Sequence, residues 1–258
     1  MSLARSIGSA TAVGRVRNHN EDGLIANDRS GIFAVADGMG GHRGGEVASK
    51  TALEALEKAL KGGTPIGNAV VIANRAVYDR SSKNNDLHGM GTTLTAGIFD
   101  RAGKCTIAHV GDSRAYLVRN KALKRITTDH SLMAELIAAG QLTEAEAEVD
   151  PRRSMITRAL GLDPTVEVDL QDLETLAGDR VMFCSDGLTS MMRDPAIVAV
   201  LNEEPEPQLA AQRLIDEANK AGGVDNITVV IVDLAQGDDS ETAQTENTSR
   251  RRWFRRQA

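Results

Sequence analysis

The chain has 258 residues, of which 41% are hydrophobic and 26% charged, with 36 acidic against 30 basic side chains and a formal net charge of −6. That length suits one large domain or two small ones around a sizeable core, and the acidic balance argues against general nucleic-acid binding, which needs a basic surface. The longest apolar runs have strand length, well short of the roughly 20 residues that cross a bilayer, and the N-terminal stretch carries no secretory apolar core, so a cytoplasmic protein is expected.

In chain order, the first clear element is "GIFAVAD", an apolar run ending at Asp37. After a glycine-rich loop, "GEVASKTALEALEKALKGG" spaces Val47, Ala52, Leu53, Leu56 and Leu60 by threes and fours, as one face of a helix requires, and Gly62-Gly63 stops it. A second helix opens on Pro65, an accepted first-turn residue, and presents Ile66, Ala69, Val70, Ala73 and Val77 on one side. "GTTLTAGIFD" alternates as a strand does, and "CTIAHVGDSRAYLV" reads as two strands around Gly111-Asp112. "SLMAELIAAGQL" and "TEAEAEV" read as a small helical insert, with Thr143 and Glu146 placed for a capping box. "DRVMFCSDG" is a strand ending at Asp186-Gly187, "DPAIVAVLNEE" and "PQLAAQRLIDEANKAGG" form a second helix pair, and "DNITVVIVDL" is the closing strand. Strands that follow one another directly exclude a purely parallel sheet. The expected fold is α+β: two mostly antiparallel sheets face to face, with helix pairs outside. Cys105 and Cys184 lie in apolar runs without a C-x-x-C spacing, so they read as buried, reduced hydrophobes.

Asp37, Asp112, Asp186 and Asp225 all fall at strand ends or starts beside Gly or Asn. Singly, each Asp-Gly suits a turn. Together, four carboxylates at one rim of a sandwich would repel one another unless a cation sat between them. Oxygen donors without a His/Cys cluster point to a hard ion, Mg²⁺ or Mn²⁺, and Gly38 lets a backbone carbonyl approach it. A phosphate-binding loop is disfavoured, because no G-x-x-x-x-G-K-[ST] occurs and "GMGGHR" lacks the third glycine of the dinucleotide fingerprint. "RVRNHNEDG" sets Arg17 just before Glu21-Asp22; this is either a polar surface loop or a guanidinium that grips phosphate beside acids that orient metal-held water.

Eight stretches in order, "RNHNED", "VADGMGGHRGGEVAS", "GMGTTLTA", "HVGDSRAYL", "TTDHS", "ITRALG", "CSDGLT" and "GGVDNITVVIV", resemble the bacterial type 2C (PPM) metal-dependent protein serine/threonine phosphatases, from about residue 8 to residue 234. The resemblance implies a four-layer α-β-β-α sandwich with a binuclear Mn²⁺ or Mg²⁺ centre at one end. By that likeness Asp37 bridges the ions, the Gly38 carbonyl ligates one, and Asp186 and Asp225 ligate the other. Glu21 and Asp22 hold water in the outer shell, Asp112 helps bind a third, weaker ion, and Arg17 clamps the substrate phosphate. Phosphoserine and phosphothreonine are then hydrolysed by a hydroxide bridging the two ions, with no phosphocysteine. Residues 1–234 form the implied catalytic domain, with a mobile flap at about 129–158.

Where many eukaryotic relatives carry a histidine as general acid, this chain has Met39, which leaves the proton donor open, water on the metal being the first choice; His42, three residues on, reads as structural. The implied partners are phosphorylated proteins, a cognate bacterial serine/threonine kinase among them. A pseudophosphatase that binds phosphoproteins without turnover is the alternative, and the complete set of Asp37, Asp186 and Asp225 argues against it. Residues 235–258 have few core formers and read as a disordered basic tail. Its end, "TSRRRWFRRQA", suits either a solvated terminus or a contact with an anionic membrane or a partner.

Overall fold

The computed structural model describes residues 3–40, 44–100 and 102–237. The chain opens with β1 (Leu3–Ala12), β2 (Asp22–Asn27) and β3 (Ile32–Met39), followed by the helix pair α1 (Gly44–Lys61) and α2 (Ile66–Lys83). Then come β4 (Gly91–Thr92), β5 (Leu94–Phe99), β6 (Lys104–Val110), β7 (Arg114–Arg119) and β8 (Ala122–Arg125). The insert holds α3 (Leu132–Ala138) and α4 (Glu144–Val149). The chain continues through β9 (Asp169–Glu174), β10 (Arg180–Cys184), α5 (Asp186–Thr189), α6 (Asp194–Glu203), α7 (Pro207–Lys220) and β11 (Ile227–Gln236).

Two antiparallel sheets form, as expected. One has the order β1-β11-β10-β7-β8; the other runs β2-β3-β5-β6-β9, with β4 added against β3. Three apolar layers separate four structural ones. Phe33, Val35, Phe99, Ile107, Leu117, Val181, Phe183 and Val230 fill the space between the sheets. Ile32, Ala34 and Ala36 face the other way, onto Ala52, Leu56, Val70 and Val77 of α1 and α2. Met182, Val229 and Ile231 likewise meet Ile197, Ala211 and Leu214 of α6 and α7. Because both faces of β3 and β11 are covered, their sequences are continuous apolar runs rather than alternating ones.

The predicted helix faces are the buried ones, except that Val47 is only partly buried while Ala48 and Ser49 are enclosed. The Thr143–Glu146 capping box is present in full. The two strands expected around Gly111-Asp112 form, and the Gly111–Ser113 segment between them is a crossover, since β6 pairs with β5 and β9 while β7 pairs with β10 and β8. One local expectation changes. Asp37-Gly38 does not turn: both residues continue β3, Asp37 opposite Asp22 and Gly38 opposite Thr92. Both cysteines are buried, and burial pushes their thiols up, Cys184 to about 12. No helix among the described residues is long and apolar enough to cross a membrane.

Candidate metal centre

The crossovers and strand ends bring the acidic residues to one end of the sandwich. Asp37 is held there by its backbone: its N–H donates to Thr93 Oγ1 at 3.0 Å, and its carbonyl accepts from Thr93 N at 2.9 Å and from Thr92 Oγ1 at 2.9 Å. Thr93 Oγ1 also meets Ser113 Oγ at 2.7 Å, which ties β3 to the loop carrying Asp112. Two glycines allow the close approaches. A Cβ on Gly38 would lie 2.1 Å from the Gly45 carbonyl oxygen and 2.6 Å from that of Glu21, and one on Gly187 would lie 2.0 Å from the Asn226 carbonyl oxygen. The glycine after Asp37 and the glycine after Asp186 are therefore packing residues that let a second backbone in beside each carboxylate.

The carboxylates interact strongly. Burial, then the charges of Asp22, Asp186 and Asp112, hold the Asp37 carboxyl well above the usual range, and Asp37 and Asp186 lie within hydrogen-bonding reach of each other. Burial also pushes Asp186 up, with Asp225 next. Asp22 and Asp112 are each pushed up to about 7, again mainly by burial and then, after two hydroxyl bonds that act the other way on Asp22, by Asp186. Glu21 is raised by burial, against the Arg17 charge. These residues are partly buried rather than enclosed, yet Asp22 Oδ1 and Asp186 Oδ1 are shielded from solvent and have no hydrogen-bond partner.

Orphaned buried carboxylate oxygens are expensive. Nearby cations do not answer them: Arg114 is committed to Asp129 through three bonds of 2.7–3.2 Å, and Arg17 donates to Asp225 Oδ2 at 2.7 Å. The donor set is all oxygen, which fits hard divalent ions. Among the described residues no three acids form a closed metal cage, although their charges couple; spacing of this kind suits ions that keep several of their waters.

Arg17 lies at the mouth, its side chain 54% exposed. Each predicted acid, Glu21, Asp22, Asp37, Asp112, Asp186 and Asp225, falls in this one electrostatic group. His42 lies outside the described residues. Sequence reasoning missed the supports. Asn226 donates from Nδ2 to the carbonyls of Val13 at 2.9 Å and His19 at 2.8 Å, and its Oδ1 accepts from Glu21 N at 2.7 Å. It thereby pins the Arg17 loop to the Asp225 turn. The signal was a buried-side amide directly after Asp225 in "VDNIT". A groove of about 810 Å³ opens beside the cluster, between the α3–α4 insert and the α5–α6 corner, lined by Asp129, Met133, Ile137, Thr189 and Met192 among others.

A family model described as protein phosphatase 2C matches residues 15–216. The serine/threonine phosphatase stp of Listeria monocytogenes serotype 4b is 41% identical over 238 residues, covering 86% of this chain and 94% of that protein. The serine/threonine protein phosphatase PstP of Mycobacterium tuberculosis is 42% identical over 236 residues, which span 89% of this chain and 45% of that protein. The crystal structure of the catalytic domain of PstP in complex with two manganese ions superposes with a TM-score of 0.83 at 38% identity, over 91% of this chain and all of that one.

Proposed function

The chain belongs to the protein phosphatase 2C family, and from that premise we propose that the acidic end of its sandwich is a two-ion centre at which phosphoserine and phosphothreonine proteins are hydrolysed. The protein is a metal-dependent serine/threonine phosphatase. The observation that carries the assignment of the site is the pair of buried carboxylate oxygens, Asp22 Oδ1 and Asp186 Oδ1, that no protein group satisfies.

In this reading Asp37, the Gly38 carbonyl, Asp186 and Asp225 hold two Mn²⁺ or Mg²⁺ ions, and Asp112 contributes to a third, weaker site. When bound, the ions acidify water toward neutral pH and neutralise charge on the phosphoryl group. The chain's own residues do the rest. Thr92 and Thr93 fix the backbone of Asp37 from both sides. Glu21 and Asp22 orient water beyond the ligands. Arg17 spends one of its five donors on Asp225, which leaves others to clamp the equatorial oxygens of the phosphate. Met39 sits opposite Gly91 at the end of β3 and has no proton to give, so water protonates the leaving serine or threonine.

The catalytic unit is residues 1–234, with residues 129–158 as the flap beside the site. The proposed setting is the cytoplasm, and a cognate serine/threonine kinase is among the phosphorylated partners, since every phosphatase needs the enzyme that made its substrate. The arginine-rich stretch at 250–256 lies outside the described residues; its charge suits an anionic membrane surface.

The test is hydrolysis of para-nitrophenyl phosphate and of a phosphothreonine peptide after EDTA treatment, with Mn²⁺ or Mg²⁺ restored. Activity that returns only with the ion supports the reading. A folded protein inert with every divalent ion would instead be a phosphoprotein-binding module.

A further inference from the structure

Asp22 uses its two oxygens differently. Oδ1 has no partner, while Oδ2 accepts from Ser185 Oγ at 2.7 Å and from Thr228 Oγ1 at 2.7 Å. Both hydroxyl residues are fully buried, and they also bind each other's strands: Thr228 N donates to Ser185 Oγ at 2.9 Å, and Ser185 N to the Thr228 carbonyl at 3.0 Å.

Each hydroxyl has one hydrogen, which sets the direction of the whole chain. Thr228 spends its hydrogen on Asp22, so at the 2.8 Å contact between Thr11 Oγ1 and Thr228 Oγ1 the donor is Thr11. Thr11 in turn accepts from Asn20 Nδ2 at 2.8 Å, and Asn20 Oδ1 accepts from Asp22 N at 3.2 Å. The loop of bonds thus closes on the residue it serves, and it links β1 and β11 of one sheet to β2 of the other. A fully buried threonine is a poor choice on packing grounds: valine has the same shape and no hydroxyl to desolvate. At this position in "DNITVVIV" the hydroxyl is put to use.

We propose that Thr228 and Ser185 are positioning residues of the metal centre, holding Asp22 by Oδ2 so that Oδ1 faces the ions and their water. This rests on the two-ion reading of the site. Neither hydroxyl touches substrate; each acts through the orientation of Asp22.

The test is isothermal titration of the full chain with Mn²⁺ alone, without substrate. Removing the hydroxyl while keeping the shape, in Thr228→Val, weakens Mn²⁺ binding about tenfold, the usual effect of losing an outer-shell partner. Ser185→Ala acts in the same direction and supplies the measurement if Thr228→Val does not fold. Thr228→Ser, which keeps the hydroxyl, binds within about twofold of the wild type. Wild-type affinity in folded Thr228→Val or Ser185→Ala, with only a lower melting temperature, would make the hydroxyls merely structural and overturn the proposal. So would a Thr228→Ser variant weakened as much as Thr228→Val. A wild-type protein that takes up no Mn²⁺ would remove the two-ion reading itself, an outcome distinct from a wild type that binds and variants that do not differ.

Discussion

Strands β10 and β11 join two ends of the sandwich that treat acidic side chains in opposite ways. At the end away from the site, Arg180 at the start of β10 grips Asp233 of β11 with two bonds of 2.6 Å and donates to the carbonyls of Leu201, Glu204 and Pro205. Beside it, Arg119 holds the buried Asp179 with bonds of 2.8 and 2.7 Å, and Leu176 N adds a third of 2.7 Å. At the other end of the same two strands, Asp186 follows β10 and Asp225 precedes β11, and the carboxylates there press on one another with arginine only at the margin. The fold can pair a buried acid with arginine when nothing else has to bind it. Leaving four acids to repel one another is a cost in the folded protein, and under the proposed two-ion reading an external cation would supply the missing charge at that end.

Four changes break or sharpen this contrast. The largest effect is on turnover: Asp37→Asn lowers kcat for para-nitrophenyl phosphate by on the order of 10³-fold, as loss of a central charge in a preorganised site does. Near-wild-type turnover in steady-state assays of that variant would undo the assignment of Asp37.

Next come the signs of the stability effects at the two ends. Asp233→Ala leaves Arg180 buried without its partner and destabilises the fold by about 3 kcal/mol, read from urea unfolding. Asp186→Asn, measured the same way in EDTA, removes a repelled charge and leaves stability equal or higher. Equal losses at both ends would erase the distinction.

The third is pH dependence. Asp22 and Asp112 titrate near 7 in the folded chain and near 3.9 when unfolded. The folded state therefore holds more protons between those values, so the contribution of these two groups to stability in EDTA is fully present at about pH 4 and is lost as pH rises toward 7. Discounted for the solvent contact these residues keep, the loss is on the order of 2 kcal/mol. Urea midpoints across that range measure it, and saturating Mn²⁺ should flatten the curve. The smallest effect is Arg17→Ala, which raises KM for small phosphoesters about tenfold, roughly 1.4 kcal/mol, with a lesser change in kcat. An unchanged KM would take Arg17 out of the phosphate clamp.

Much of this was legible in the sequence, unevenly. The elements buried on both faces, β3, β10 and β11, stand out as unbroken apolar runs, and the four main helices carry clean three-and-four spacing. The edge strands do not stand out. In β1, "LARSIGSATA" carries only Leu3 and Ile7 as large apolar residues among small and polar ones, and β9, "DLQDLE", is almost wholly exposed. Edge strands are held by backbone pairing with a neighbour, and side-chain patterning records little of that. The four acids Asp37, Asp112, Asp186 and Asp225 were likewise visible as a set, because the same residue type recurs at strand ends along the chain. The second tier was not: Ser185, Thr228 and Asn226 look like ordinary strand-end polar residues until their partners, some 40 to 210 positions away, are in place.

The sequence by itself determined the layers, the helix faces, the all-oxygen character of the acid set and the family. The first three follow from local periodicity and residue chemistry, which neighbours along the chain express directly; the family followed from the resemblance of eight ordered stretches to known members. Only the tertiary structure decided that Gly111–Ser113 crosses between sheets, that Asp37-Gly38 stays extended, and that Asp22 is gripped by one oxygen and left open at the other. Each of these depends on which distant backbone arrives alongside. The glycines after Asp37 and Asp186 admit those backbones, but nothing local to either glycine says which segment will come.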